Sequence, residues 1–377
     1  MRRRPVFWLT GYFLLIFVAL GLIATKTIDI DPFFHYHKPK TNEYFYILNN
    51  QRSQNDGIIK QFDYTGLITG TSMTENFKAS EAEALWGGTF IKVPFSGGSN
   101  KEINDNIEVA LRYNPNLSIV IRGLDFAMFM DEKDIMRTDL GNYPTYLYDG
   151  DILNDVQYVF NRDVFFSRVY PMIKAKDDPG FAAGITSFDQ YSNWMSKYQF
   201  GKNTLFPEGI TTEEVWEPIH ITEEDAARTR QNIEQNVVAL ACKYPNVDFY
   251  YFISPYSAKW WKESLENGTI YRQMEAAEIA AEEILRCPNI HLFSINNRFD
   301  LTTDLNNYKD SAHYGEWINS LMLCYMHDGR YLLTSENYKE HFDEILQFYT
   351  TFDYTQMNNQ PDYEDDYYAA FLLKQGI

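Results

Sequence analysis

A chain of 377 residues with 52 acidic and 33 basic side chains carries a formal charge of −19, so it repels nucleic-acid phosphates and no nucleic-acid partner is expected. Three cysteines, Cys242, Cys287 and Cys324, are too few and too irregularly spaced for a disulfide framework or a zinc site. The aromatic share of 16 %, with 28 tyrosines, goes chiefly to a large core and a tyrosine-rich surface, although exposed tyrosine and tryptophan also line carbohydrate sites.

Arg2, Arg3 and Arg4 precede a run without charge from Pro5 to Thr25 that includes Phe7, Trp8, Leu9, Phe13, Leu14 and Leu15. Roughly 20 apolar residues match the thickness of a bilayer core. Basic residues ahead of the run keep residues 1–4 in the cytoplasm and send the rest outward. The run is longer than an ordinary signal-peptide core, and Leu20-Gly21-Leu22-Ile23-Ala24 offers no clear small-x-small cleavage site. The expectation is an uncleaved signal anchor over 5–25: a single-pass membrane protein with its bulk outside the cytoplasm. Residues 26–58 read as a stalk. They contain His35-Tyr36-His37, whose spacing invites a metal, but no carboxylate or third histidine follows at a fixed distance. No metal and no cofactor is expected.

The body, 59–330, alternates strands and helices. Strands are predicted near 64–70 and 89–95. Three further apolar runs each follow a Pro-Asn turn: Pro115-Asn116 before Leu117–Ile121, Pro245-Asn246 before Val247–Ile253, and Pro288-Asn289 before Ile290–Ile295. Helices are predicted at about 101–112, 222–243 and 258–286. This alternation predicts an α/β fold with a parallel sheet covered on both faces. From about 126 to 224 the rhythm breaks into aromatics, prolines and glycines. A stretch that long exceeds any ordinary loop and is read as an inserted subdomain near the strand ends, where such sheets bind ligands. Cys242 and Cys287 each lie near the C-terminal end of a predicted helix. Their positions leave a single bridge open, but buried free thiols are the expectation. Two more helices are predicted at about 314–327 and 334–349, and residues 331–377 close the chain with the second of them and an acidic aromatic tail, Asp362–Tyr368, read as a solvated end.

Two segments carry chemistry. Gly70-Thr71-Ser72 follows the apolar run Leu67-Ile68-Thr69, which places Ser72 where a buried strand turns into a helix. There its N–H and the helix dipole would favour an oxyanion. Some 240 residues later, Asp310-Ser311-Ala312-His313 sets an acid three residues before a histidine. A serine hydroxyl needs a base, and the base needs an orienting group. Thr74 stands where the nucleophile elbow of α/β-hydrolases requires a second glycine, so that fold is disfavoured.

With Gly70-Thr71-Ser72 early and Asp310-x-x-His313 late, the chain resembles the SGNH (GDSL-like) hydrolase superfamily over roughly residues 60–330. More narrowly, it resembles membrane-anchored cell-envelope proteins related to the D-alanyl transfer protein of teichoic acid synthesis and to alginate O-acetylation proteins. The resemblance implies a flavodoxin-like three-layer sandwich, with Ser72 as nucleophile, His313 as base and then acid, and Asp310 orienting His313. It implies an oxyanion hole from Ser72 together with Gly97 or Gly98. It also implies an asparagine after the third strand, but this chain has Gly123-Leu124-Asp125. An ionised Asp125 would repel an oxyanion, so it is protonated, turned away, or replaced as donor by a group such as Asn76. The implied activity is that of an esterase or O-acyltransferase on acyl esters of an envelope polymer, with a multi-pass membrane acyltransferase as partner. The alternative is a catalytically degenerate scaffold or binding protein of an envelope-modification complex.

Overall fold

A computed structural model of the protein describes residues 4–138, 143–211, 214–364 and 367–375. The chain forms two compact units, Met1–Phe62 with Thr138–Ser187, and Asp63–Arg137 with Phe188–Ile377.

The first unit begins with a 27-residue helix, Arg4–Ile30. Its Phe7–Ile30 portion is long and apolar enough to cross a membrane. The expected stalk is instead a folded segment. Asp31, at φ +48°, turns the chain back, and its carboxyl oxygens accept the backbone N–H groups of His35 (3.0 Å), Tyr36 (2.7 Å) and His37 (3.1 Å) and the hydroxyl of Tyr158 (2.7 Å). Phe33, Phe34, Tyr46 and Leu48 are buried. The helix Gln51–Gln61 comes next. The strands β1 (Phe45–Tyr46) and β5 (Gly184–Ile185) pair in parallel. Apolar and carboxylate groups in 31–48 thus find partners in 155–186, which a sequence read segment by segment does not reveal. Part of the expected insertion, 138–187, therefore belongs to this unit. The two histidines of the His-x-His pair diverge: His35 Nε2 meets Asp155 Oδ1 at 3.0 Å, and the His37 ring bonds the carbonyls of Lys38 and Ile28.

The second unit is built on a six-stranded sheet. Its strands are β2 (Gly66–Gly70), β3 (Phe90–Pro94), β4 (Ile119–Leu124), β6 (Asp248–Ile253), β7 (Ile290–Ser294) and β8 (Leu332–Leu333). The order is β3-β2-β4-β6-β7-β8, parallel throughout except for β8, which pairs antiparallel with β7. Counting the five parallel strands alone gives 2-1-3-4-5, a common doubly wound order whose switch point falls between β2 and β4. Every residue of β2 and β3 is buried. The flanking helices fall into two groups that contact within themselves: Ala79–Trp86 with Glu316–His327, and Glu223–Ile233, Ile270–Ile284 and Tyr338–Thr351.

All three Pro-Asn turns lead into parallel strands, as expected. The helix Asn100–Tyr113 starts with a capping box between Ser99 and Glu102. The helix expected over 258–286 is two, Ala258–Glu266 and Ile270–Ile284. The break is at Gly268, where φ is +73° and a Cβ would lie 2.3 Å from Glu217 O. Cys242 and Cys287 are disulfide-bonded, with Cα atoms 5.6 Å apart, so the expected free thiols are corrected. Each precedes one of the neighbouring strands β6 and β7 through the same kind of turn, and strand pairing brings them together. The aromatic tail is no solvated end either. Tyr363, Tyr367, Tyr368 and Phe371 gather around the buried ring of Trp317.

Candidate active site

β2 ends at Gly70, whose φ of +146° lets the chain turn out of the sheet; a Cβ there would lie 2.6 Å from Thr74 Cγ2. The next element is a single 3-10 turn, Ser72–Thr74, rather than the helix expected at Ser72. Thr71 caps it, its Oγ1 accepting from Met73 N at 3.4 Å, and Thr74 Oγ1 donates to Thr71 O at 2.8 Å. One short turn sums few peptide dipoles. The expected dipole effect at Ser72 gives way to individual N–H groups.

The acid and base sit on a tight loop closed by a bridge between Tyr308 and Tyr314. Ser257, just past β6, anchors it by donating to Ser311 O from its N (3.1 Å) and Oγ (2.7 Å). Asp310 Oδ1 accepts from Ala312 N (3.0 Å) and His313 N (2.8 Å). Both Asp310 oxygens lie 2.9 Å from His313 Nδ1. His313 Nε2 lies 2.7 Å from Ser72 Oγ. Sequence reasoning named all three residues, and the fold brings them into one hydrogen-bonded line. Burial disfavours the charge on Asp310, but the bonds and charge of His313 outweigh it and hold the carboxyl below the usual carboxylate range. An ionised Asp310 keeps the imidazole proton on Nδ1 and leaves Nε2 to accept from the Ser72 hydroxyl. Ser72 and His313 are half-buried, reachable from solvent.

The expected oxyanion group is only partly assembled. Phe95 N donates to Gly70 O at 2.7 Å, which sets the turn after β3 beside the serine loop. In that turn Gly98 N is committed to Phe95 O (2.7 Å), which removes Gly98 as a donor. Gly97, at φ +56°, uses its carbonyl for Arg137 and its N–H has no acceptor among the described residues. Ser72 N is likewise unclaimed among them. Asn76 is buried: its Oδ1 accepts from Trp194 N at 3.1 Å and its amide nitrogen is sealed from solvent, so it supports Trp194 rather than facing a ligand. Asp125 is buried too, and its Oδ2 accepts from Thr71 Oγ1 at 2.5 Å. Burial pushes its carboxyl up, against the hydroxyls of Ser254 and Thr71. Asp125 ties the end of β4 to the serine loop through Oδ2, and its Oδ1 is sealed from solvent.

No family model matches the chain. No curated protein matches it. A solved structure described as "a putative platelet activating factor from Streptococcus pneumonia" superposes with a TM-score of 0.37 at 11 % identity, over 74 % of this chain and 90 % of that one. So loose a likeness assigns no function.

Three residues around the site escaped the sequence reading. The Trp194 ring stands edge-on to His313, centroids 5.8 Å apart. Lys309 Nζ lies 4.6 Å from the Trp194 centroid, 3.9 Å from that of Tyr198, and 3.4 Å from Asp310 Oδ2. The only signal available was the aromatic richness of 126–224, which points to no particular ring. Lys92 on β3 is the third. It is fully buried, donates to the carbonyls of Glu75 and Phe77, and is pushed down to about 7 by burial. In sequence it is one charge in an apolar strand; in the fold it braces the loop behind Ser72.

Proposed function

We propose that the protein is a serine-dependent esterase or O-acyltransferase of the SGNH type that works through an acyl group on Ser72. The observation that carries this is the unbroken line from Ser72 Oγ through His313 Nε2 and Nδ1 to Asp310. The short acid-to-base spacing and the 2-1-3-4-5 strand order support the family reading. In the first step Ser72 Oγ bonds to the ester carbonyl carbon while its proton passes to His313 Nε2. The imidazolium is stabilised by Asp310, and the N–H groups of Ser72 and Gly97 receive the carbonyl oxygen as it gains charge. Collapse breaks the bond to the leaving alkoxide, which takes the proton from His313. An incoming hydroxyl, from a polymer or from water, reverses the sequence and frees Ser72.

The substrate we infer is an acyl ester of a cell-envelope polysaccharide or teichoic-acid-type polymer outside the cytoplasm. The apolar helix behind three arginines supports an anchored, outward-facing domain. A Cys242–Cys287 bond is at home in an oxidising compartment. A fixed place at the membrane suits transfer from a multi-pass acyltransferase. The second reading, a degenerate scaffold, is favoured by Asp125 standing where the family has an amide donor.

Fluorophosphonate labelling distinguishes the two. The intact protein should be labelled at Ser72, and labelling should vanish in Ser72→Ala and fall by about 10²–10⁴ in His313→Ala and Asp310→Asn. A folded wild type that takes no label would favour the scaffold.

A further inference from the structure

The first unit holds a groove of about 510 Å³ that the proposed chemistry does not use. One wall is the edge strand β1 with Phe45 and Ile47; the other carries Pro171, Met172 and Ala175 of the helix Tyr170–Ala175. Its lining is mostly apolar, contains no carboxylate, and includes one cation, Arg168, whose guanidinium lies 5.6 Å from the Phe33 ring. Such a combination suits a long apolar chain ending in an anion.

Its place in the unit says where that ligand comes from. Pro32 lines the groove two residues beyond Ile30, the end of the membrane-length helix. The Phe165–Val169 segment, continuous with the groove wall, packs on that same helix. So does the short helix Val156–Val159, whose Tyr158 hydroxyl bonds Asp31 at the helix end. Around these contacts large apolar side chains face outward, among them Leu153, 81 % exposed, Phe166, 60 % exposed, and Ile152. An exposed apolar patch of this kind marks an interaction surface, and one packed at the end of a membrane helix meets the bilayer interface.

We propose that this groove takes an acyl chain of a membrane phospholipid, with the lipid phosphate toward Arg168. The inference rests on the reading of Arg4–Ile30 as a membrane anchor and is independent of Ser72. Full-chain protein would be placed in phosphatidylcholine vesicles doped with phosphatidylglycerol that carries a diazirine midway along one acyl chain. After irradiation, the crosslinked peptides would be mapped by mass spectrometry. The expected result is labelling within residues 45–49 and 166–182 in addition to the helix. Ala175→Trp and Ala182→Trp, each placing a large ring at a residue that lines the groove, should each cut that labelling about tenfold. Arg168→Gln should cut it about fivefold, the effect of one cation at an anionic surface. Circular dichroism confirms that each variant is folded. Labelling confined to residues 7–30 would overturn the groove proposal while leaving the anchor intact; no labelling anywhere would overturn both. Groove labelling unchanged in both folded tryptophan variants would also refute it.

Discussion

Asp125 illustrates how one side chain changes meaning once its neighbours are known. Where an amide facing the oxyanion was expected, this chain buries a carboxyl that accepts from Thr71 and is pushed up by its burial. A folded-state pKa above the unfolded one means the native state holds the proton longer. Stability at this position is therefore present at acid pH and is lost as pH rises above about 4, the unfolded aspartate value, through the raised folded value. Asp125→Asn keeps an oxygen for Thr71 and removes the titration. Its melting temperature should exceed that of the wild type at pH 8, and the gap should close as pH falls toward 4. A gap that is constant across that range in a pH series of thermal melts would mean that Asp125 is not held in a raised state.

Secondary elements put the reactive groups at the sheet's switch point by plain chain geometry. β2 ends in a glycine that turns out of the sheet, Asp125 directly follows β4, and the loop with Asp310 and His313 is tied to Ser257 beyond β6. Elsewhere a single glycine redirects a helix. Ala276, Ala277 and Ile284 continue the helical periodicity seen before Gly268, which is why one long helix was expected. The break is enforced by the Glu217 carbonyl against which Gly268 packs. Gly268→Ala puts a side chain into a left-handed backbone and into that carbonyl. It should lower stability by about 1–3 kcal/mol in urea unfolding, whereas Asn267→Ala, one residue earlier at φ −90°, should cost less.

For the molecule as a whole, the Cys242–Cys287 bond closes a 45-residue loop across neighbouring strands. Its reduction should lower stability by about 2–4 kcal/mol. Thiol titration of the unreduced, unfolded chain should find one reactive cysteine, Cys324. The parallel sheet, the apolar N-terminal helix, and the identities of Ser72, Asp310 and His313 were all legible in the chain. Each is written in local composition: apolar runs between turn residues, a charge-free stretch, an acid three residues from a histidine. The pairing of Cys242 with Cys287, the folding of 31–48 onto 155–186, the burial of Asn76 and Asp125, and the aromatic wall of Trp194 beside His313 were not. Those depend on which distant strands become neighbours and which side chains then lose water, and contacts between segments far apart in the chain leave no pattern in either segment alone.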